Sequence, residues 1–226
     1  MKKFILISAV SLLVVPTLAD FQATGGQDSA QRQLVTVYYF DGSKQTYTGM
    51  FHFTISSGSL DGRTSYDAFC VDLEEWLDTT DTYQVVDVAD IPTPESDYAP
   101  MGEERADLLR EMFAEHYGEL FDGDHDVADR QAFQLAVWEV VYEDLGDLGN
   151  VTSGDFYATG QSSTVSGYAA DFLDTLDGSS SMFLYGLESL NEDEGYGQDF
   201  VTIPAPGAVL LGLIGLGAIA RVRRLT

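Results

Sequence analysis

The apolar period of this chain changes from strand-like to helical at about Glu103, and that change fixes its fold class. From Leu34 to Val88 hydrophobic and polar residues alternate, the pattern of strands with one face in a core. Leu34 to Phe40 and Gln45 to Ile55 flank an Asp41-Gly42 turn and predict a hairpin, with Tyr47, Phe51, Phe53 and Ile55 on one side. Thr64 to Leu73 predicts a further strand in which Phe69, Val71 and Leu73 share one face and Cys70 takes the other. Thr82 to Val88 predicts another, ending before a loop that holds Pro92, Pro94 and Pro100. The period then becomes helical. Glu103 to Leu120 sets Leu108, Leu109, Met112, Phe113 and Tyr117 at helical spacings, and a second helix runs from an Asp126 cap to about Glu143. After a looser stretch, Leu145 to Ser163, a third helix (Thr164 to Leu176) and a strand (Met182 to Leu187) return the chain to the sheet. These periods predict an α+β fold: a β-rich lobe, sandwich- or barrel-like, with a helical insertion.

Both ends differ from the middle. Lys2 and Lys3 precede an apolar run from Phe4 to Val15 and a small-residue site ending at Ala19, which predicts a signal peptide over residues 1–19. At the other end an apolar run, Ala208 to Ala220, follows Pro204 and Pro206 and precedes Arg221, Arg223 and Arg224. Its thirteen residues are fewer than the roughly 17 to 25 of an ordinary span, so residues 204–226 predict a short transmembrane anchor. The arginines keep the C-terminus cytoplasmic and place the rest of the chain outside the inner membrane. Between the termini lie a polar segment (20–33), the main domain (34–190) and an acidic linker (191–203). All 37 acidic residues fall in this central part against six basic ones, a net charge of −31 that repels phosphate backbones and argues against nucleic acid as a partner.

Cys70 is the sole cysteine of an exported chain, so it forms no internal disulfide and must be buried, shared with a partner or otherwise modified. Gln134 offers a modification. Attack of the Cys70 sulfur on the Gln134 carboxamide, with loss of ammonia, would give an internal thioester able to capture an outside amine or hydroxyl. Gln134 lies on the second helix among Phe133, Leu135, Ala136, Val137, Val140 and Val141, with Trp138 four residues on and Glu139 and Glu143 facing elsewhere. Trp138 and Tyr66 would limit the access of water.

The segment Phe69-Cys70-Val71-Asp72, followed by Phe133-Gln134-Leu135-Ala136-Val137-Trp138, resembles bacterial surface thioester domains. The resemblance implies a β-rich lobe with a helical insertion, Cys70 and Gln134 as the bonded pair, and Phe69, Asp72 and Trp138 as its surroundings. Many Gram-positive members have threonine where Phe133 stands here. The tail, Ile203-Pro204-Ala205-Pro206-Gly207-Ala208 with its glycine-rich apolar run and arginines, is similar to PEP-CTERM sorting signals, with Ala205 in place of the usual glutamate. That similarity implies processing by an exosortase-type enzyme and delivery to the cell surface or extracellular matrix.

The expected function is single-turnover covalent attachment to an amine- or hydroxyl-bearing surface or matrix target, without enzymatic turnover and without a cofactor. The alternative is a non-reactive structural or exopolysaccharide-associated matrix protein. A cysteine hydrolase would need His52, His116 or His125 beside the sulfur, and no local signature puts one there. Asp122, Asp124, Asp126 and Asp129 resemble the start of a calcium loop, but Val127 replaces its glycine and Phe133 its bidentate glutamate, so no metal site is assigned.

Overall fold

Six strands close into a barrel. In the computed structural model the first strands are β1 (Phe21–Gly26), β2 (Gln33–Tyr39), β3 (Gly42–Thr48), β4 (Phe51–Ser57), β5 (Ser65–Cys70) and β6 (Thr80–Asp87). Two short strands, β7 (Pro92–Thr93) and β8 (Ala99–Pro100), precede helices α1 (Glu103–His116) and α2 (Val127–Tyr142). Then come β9 (Phe156–Thr159), α3 (Ser163–Leu173), β10 (Tyr185–Ser189) and β11 (Phe200–Thr202). The structure describes residues 20–40, 42–93, 99–121, 127–180, 182–191 and 197–204. The expected signal peptide, the sorting-signal residues Pro206, Arg221, Arg223 and Arg224, and the acidic residues Asp122, Asp124 and Asp126 lie outside them.

The barrel order is β1-β4-β5-β11-β10-β6, antiparallel throughout. Its interior is filled by Phe21, Phe53, Tyr66, Tyr83 and Phe200, whose neighbouring ring centroids lie 5.0 to 6.1 Å apart. Full burial of each such side chain contributes roughly 1.5–3 kcal/mol, so this cluster is a principal source of the lobe's stability. A second sheet, β3-β2-β9, turns Val35, Val37, Phe156 and Ala158 inward. Helix α2 touches β3 and β9 of that sheet and β5 of the barrel, and packs along α3. Every residue from Gln131 to Tyr142 is buried, the condition of a helix enclosed on all sides.

Several elements differ from the sequence expectation. The segment 20–33, expected to be a polar leader, contains β1, a barrel strand whose Phe21 and Ala23 point inward. A side chain at Gly25 would collide with the His52 carbonyl and Phe53, so glycine there permits the close approach of β1 to β4. The expected single strand Gln45 to Ile55 is divided at Gly49, whose φ of +127° turns the chain from one sheet into the other. Tyr47 is therefore exposed while Phe51 and Phe53 are buried. The stretch 145–163 contains β9, and the expected linker 191–203 ends in β11, which completes the barrel. Glu139 and Glu143, expected to face away from the apolar surface, are fully buried because they accept main-chain N–H groups of the loop that follows α2. Among the described residues no helix is long and apolar enough to cross a membrane, and the run Ala208 to Ala220 lies outside them.

Candidate thioester site

A missing rung in the barrel ladder defines the site. Strands β4 and β5 pair from Thr54–Ser65 to Phe51–Ala68, after which β4 is lost to the turn at Gly49 and Met50. The Ile55 N–H donates to the Thr64 carbonyl at 2.9 Å, so alternate residues Tyr66, Ala68 and Cys70 direct their main-chain groups toward β4. At Cys70 no strand stands opposite. The Gln134 carboxamide takes the vacant place: Cys70 N–H donates to Gln134 Oε1 at 3.0 Å, and Gln134 Nε2 donates to the Cys70 carbonyl at 2.8 Å. Both residues have zero exposure, so these bonds satisfy main-chain groups that water does not reach. On the other side of β5, Val71 N–H donates to Asp199 O at 3.0 Å, which ties the same stretch to β11.

Adjacent residues on β5 and α2 thus meet in pairs. Phe69 packs against Phe133 with ring centroids 4.7 Å apart, while Cys70 meets Gln134. The two hydrogen bonds hold the Gln134 carboxamide against the Cys70 main chain, so the two side chains that a thioester would join belong to directly paired residues. The Cys70 Sγ–H donates to the Asp72 carbonyl at 2.8 Å. Burial, with the Asp72 carboxylate adding to it, pushes the thiol pKa up, so the resting group is a thiol. Trp138 is buried against the sulfur. Its indole N–H reaches no acceptor at hydrogen-bonding geometry, yet it favours the thiolate, as does the more distant Lys44 ammonium.

The segment after Cys70 is held from several directions. Asp72 Oδ1 accepts the N–H groups of Glu74 (2.7 Å) and Glu75 (3.4 Å), an aspartate-capped turn. Leu73 N–H donates to the Tyr142 hydroxyl at 2.7 Å. Lys44 Nζ donates to the carbonyls of Leu73 (2.8 Å), Glu74 (3.3 Å) and Glu75 (2.9 Å) and sits 4.0 Å above the Trp76 ring. Gln198 Nε2 donates to the Asp72 and Glu75 carbonyls at 3.3 and 3.0 Å. A cavity of 130 Å³ borders this segment, lined by Asp72, Glu75, Glu188 and Asp199 among others. Burial raises Glu75 to about 7 and Asp199 to about 8.

Five residues singled out in the sequence, Phe69, Cys70, Asp72, Gln134 and Trp138, therefore come together. Pro204 is buried just beyond β11, away from them in the chain. Sequence reasoning missed Lys44, Tyr142 and Gln198. Tyr142 had a legible signal, because Gln134, Trp138 and Tyr142 recur every four residues and form one stripe of α2. His52 pairs instead with Asp67 at 2.8 Å, and His116 packs against Phe172. Among the described residues no three His, Cys, Asp or Glu side chains cluster as metal ligands.

No protein-family model and no curated protein matches the chain. Among solved structures, the N-terminal domain of the Streptococcus pyogenes pilus tip adhesin Cpa is similar at 15% identity, over 80% of this chain and 99% of that one, with a TM-score of 0.40.

Proposed function

We propose that this is an exported surface protein in which Cys70 and Gln134 form an internal thioester that covalently captures a nucleophile once. The supporting observation is the two-point pairing of the buried Gln134 carboxamide with the Cys70 main chain. In the first step Sγ attacks Gln134 Cδ and the C–N bond breaks; the thiol proton leaves with the amide nitrogen as ammonia. In the second step a target amine attacks Cδ and the C–S bond breaks. The amine's proton passes to the sulfur, leaving an amide at Gln134 and a free Cys70 thiol.

The ladder position favours amines over hydroxyls. Loss of ammonia removes the donor to the Cys70 carbonyl, and capture of a primary amine returns an N–H to it, whereas an ester would not. The target is an amine-bearing surface or matrix component. The C-terminal segment anchors the chain at the inner membrane until an exosortase-type enzyme processes it. No catalytic turnover and no cofactor enter this reading.

A second reading, a non-reactive matrix protein, rests on the same hydrogen bonds: they already complete the β5 ladder without any reaction. Intact mass of residues 20–203 separates the two. A mass lower than the sequence value by one ammonia, converted by methylamine to an adduct at Gln134 with a newly alkylatable Cys70, supports the thioester. An unmodified mass with an alkylatable thiol before any treatment refutes it.

A further inference from the structure

The second sheet has an open edge. Strand β3 ends the order β3-β2-β9 and runs seven residues, Gly42–Thr48, in unbroken register with β2. It contains no proline and no bulge, two of the devices that commonly protect a sheet edge from another strand. Its one charged residue, Lys44, is turned to the carbonyls of Leu73, Glu74 and Glu75 and does not guard the edge.

The hairpin register, Tyr39 opposite Gly42, directs the main-chain groups of Lys44 and Thr46 to β2 and those of Ser43, Gln45 and Tyr47 outward. Gln27 confirms the direction: its Nε2 reaches the Tyr47 carbonyl at 3.2 Å and the Gly49 carbonyl at 2.8 Å, closing that end of the edge. Among the described residues nothing closes the stretch at Ser43 and Gln45, and both residues are exposed. Two glutamines thus replace missing strands, at Cys70 and at Tyr47, and one stretch of edge is left unfilled between Tyr47 and the turn.

We infer that the free edge of β3 is the docking site of a polypeptide target, which adds as a fourth strand and delivers a lysine toward Cys70 and Gln134. Unpaired N–H and C=O groups in strand register are complementary to another extended backbone. The edge strand is joined to the segment that follows Cys70, because Lys44 of β3 binds its Leu73 and Glu75 carbonyls. Charge selects the occupant. The chain as a whole carries −26. A second copy would bring an equal negative charge and be repelled, whereas a lysine-bearing strand is attracted.

The inference rests on the thioester reading for its covalent step, and its test separates the two. The probe is an acetylated, fluorescein-labelled heptapeptide, Thr-Val-Thr-Lys-Thr-Val-Thr, with an N-methylated copy that keeps the side chains but cannot pair. With the wild-type chain, adduct should form about tenfold or more faster with the peptide than with methylamine at equal concentration, as docking raises the local amine concentration. Substitution Gln45→Pro removes an outward N–H without removing a β2 bond, and should leave methylamine capture unchanged while abolishing the advantage of the peptide. N-methylation of the peptide should do the same, whatever Gln45→Pro does to folding.

Equal rates for peptide and methylamine, or an undiminished rate with the N-methylated copy, would overturn the docking site. If neither nucleophile is captured, the thioester reading fails, and fluorescence anisotropy on Cys70→Ala decides the edge: saturable binding lost in Cys70→Ala/Gln45→Pro upholds it, and no binding overturns it. A dimer in sedimentation velocity that Gln45→Pro dissolves would assign the edge to a second copy and also overturn it.

Discussion

Replacing Gln134 by leucine tests whether its carboxamide serves as a rung of the barrel ladder. The comparison belongs in a Cys70→Ala background, where no thioester forms and the Cys70 main-chain positions persist. Leucine is close in volume to glutamine, so packing is largely kept and the loss falls on two main-chain groups, the N–H and the C=O at position 70. Both belong to a residue of zero exposure, so water does not satisfy them in the folded chain. An orphaned buried group costs about 1–3 kcal/mol, so the pair should cost about 2–6 kcal/mol. In urea, with a slope of about 2 kcal/mol per molar, the unfolding midpoint should fall by roughly 1–3 M. Equilibrium unfolding followed by tryptophan fluorescence provides the readout, since Trp138 lies one helical turn from the substitution. A loss under about 0.5 kcal/mol would show that the two groups find other partners and that the carboxamide is dispensable to the ladder.

Two further outcomes are expected. Glu139 is held at about 7 by burial, which keeps it protonated in the fold at acidic pH. Because its folded pKa is raised, its stabilising share is full below the ordinary glutamate value and is lost as pH rises toward 7. Urea midpoints should therefore fall between pH 5 and pH 7, and Glu139→Gln should flatten that fall; an unchanged slope would refute the assignment. Gly154 has φ of +131°, and a side chain there would overlap Glu143 Oε2, the acceptor of the Phe156 N–H. Gly154→Ala should cost about 2–4 kcal/mol by calorimetry, whereas a neighbouring exposed Ser153→Ala should cost under about 1.

The site was legible where its partners are local in sequence. Phe69-Cys70 and Phe133-Gln134 announce themselves through apolar neighbours of clear period, and the contact between them follows from one strand meeting one helix. The helices were likewise readable because their periods run for three turns or more. Other features depend on distant partners. The turn at Gly49 is hidden because Tyr47, Phe51 and Phe53 keep the same phase on either side of it, although the residues belong to different sheets. β1 has only Phe21 and Ala23 to mark its inner face, and β9 is four residues long. Glu139 and Glu143 read as solvent-facing because carboxylates usually are. Their burial depends on loop amides at Gly149, Asn150 and Phe156 that no local pattern links to them.

The place of β11 in the barrel sets an order of events during synthesis. Cys70 pairs with Phe200 across 130 residues, whereas Gln134 lies only 64 residues from Cys70. Contacts so far apart in sequence form late, after the shorter loops have closed. The helix that carries Gln134 can reach Cys70 while the last strand has yet to emerge, and for that interval the far side of β5 stays open to solvent. Three residues, Phe200, Val201 and Thr202, then close the wall. A chain released before Phe200 would keep the glutamine and the cysteine but never seal them from water.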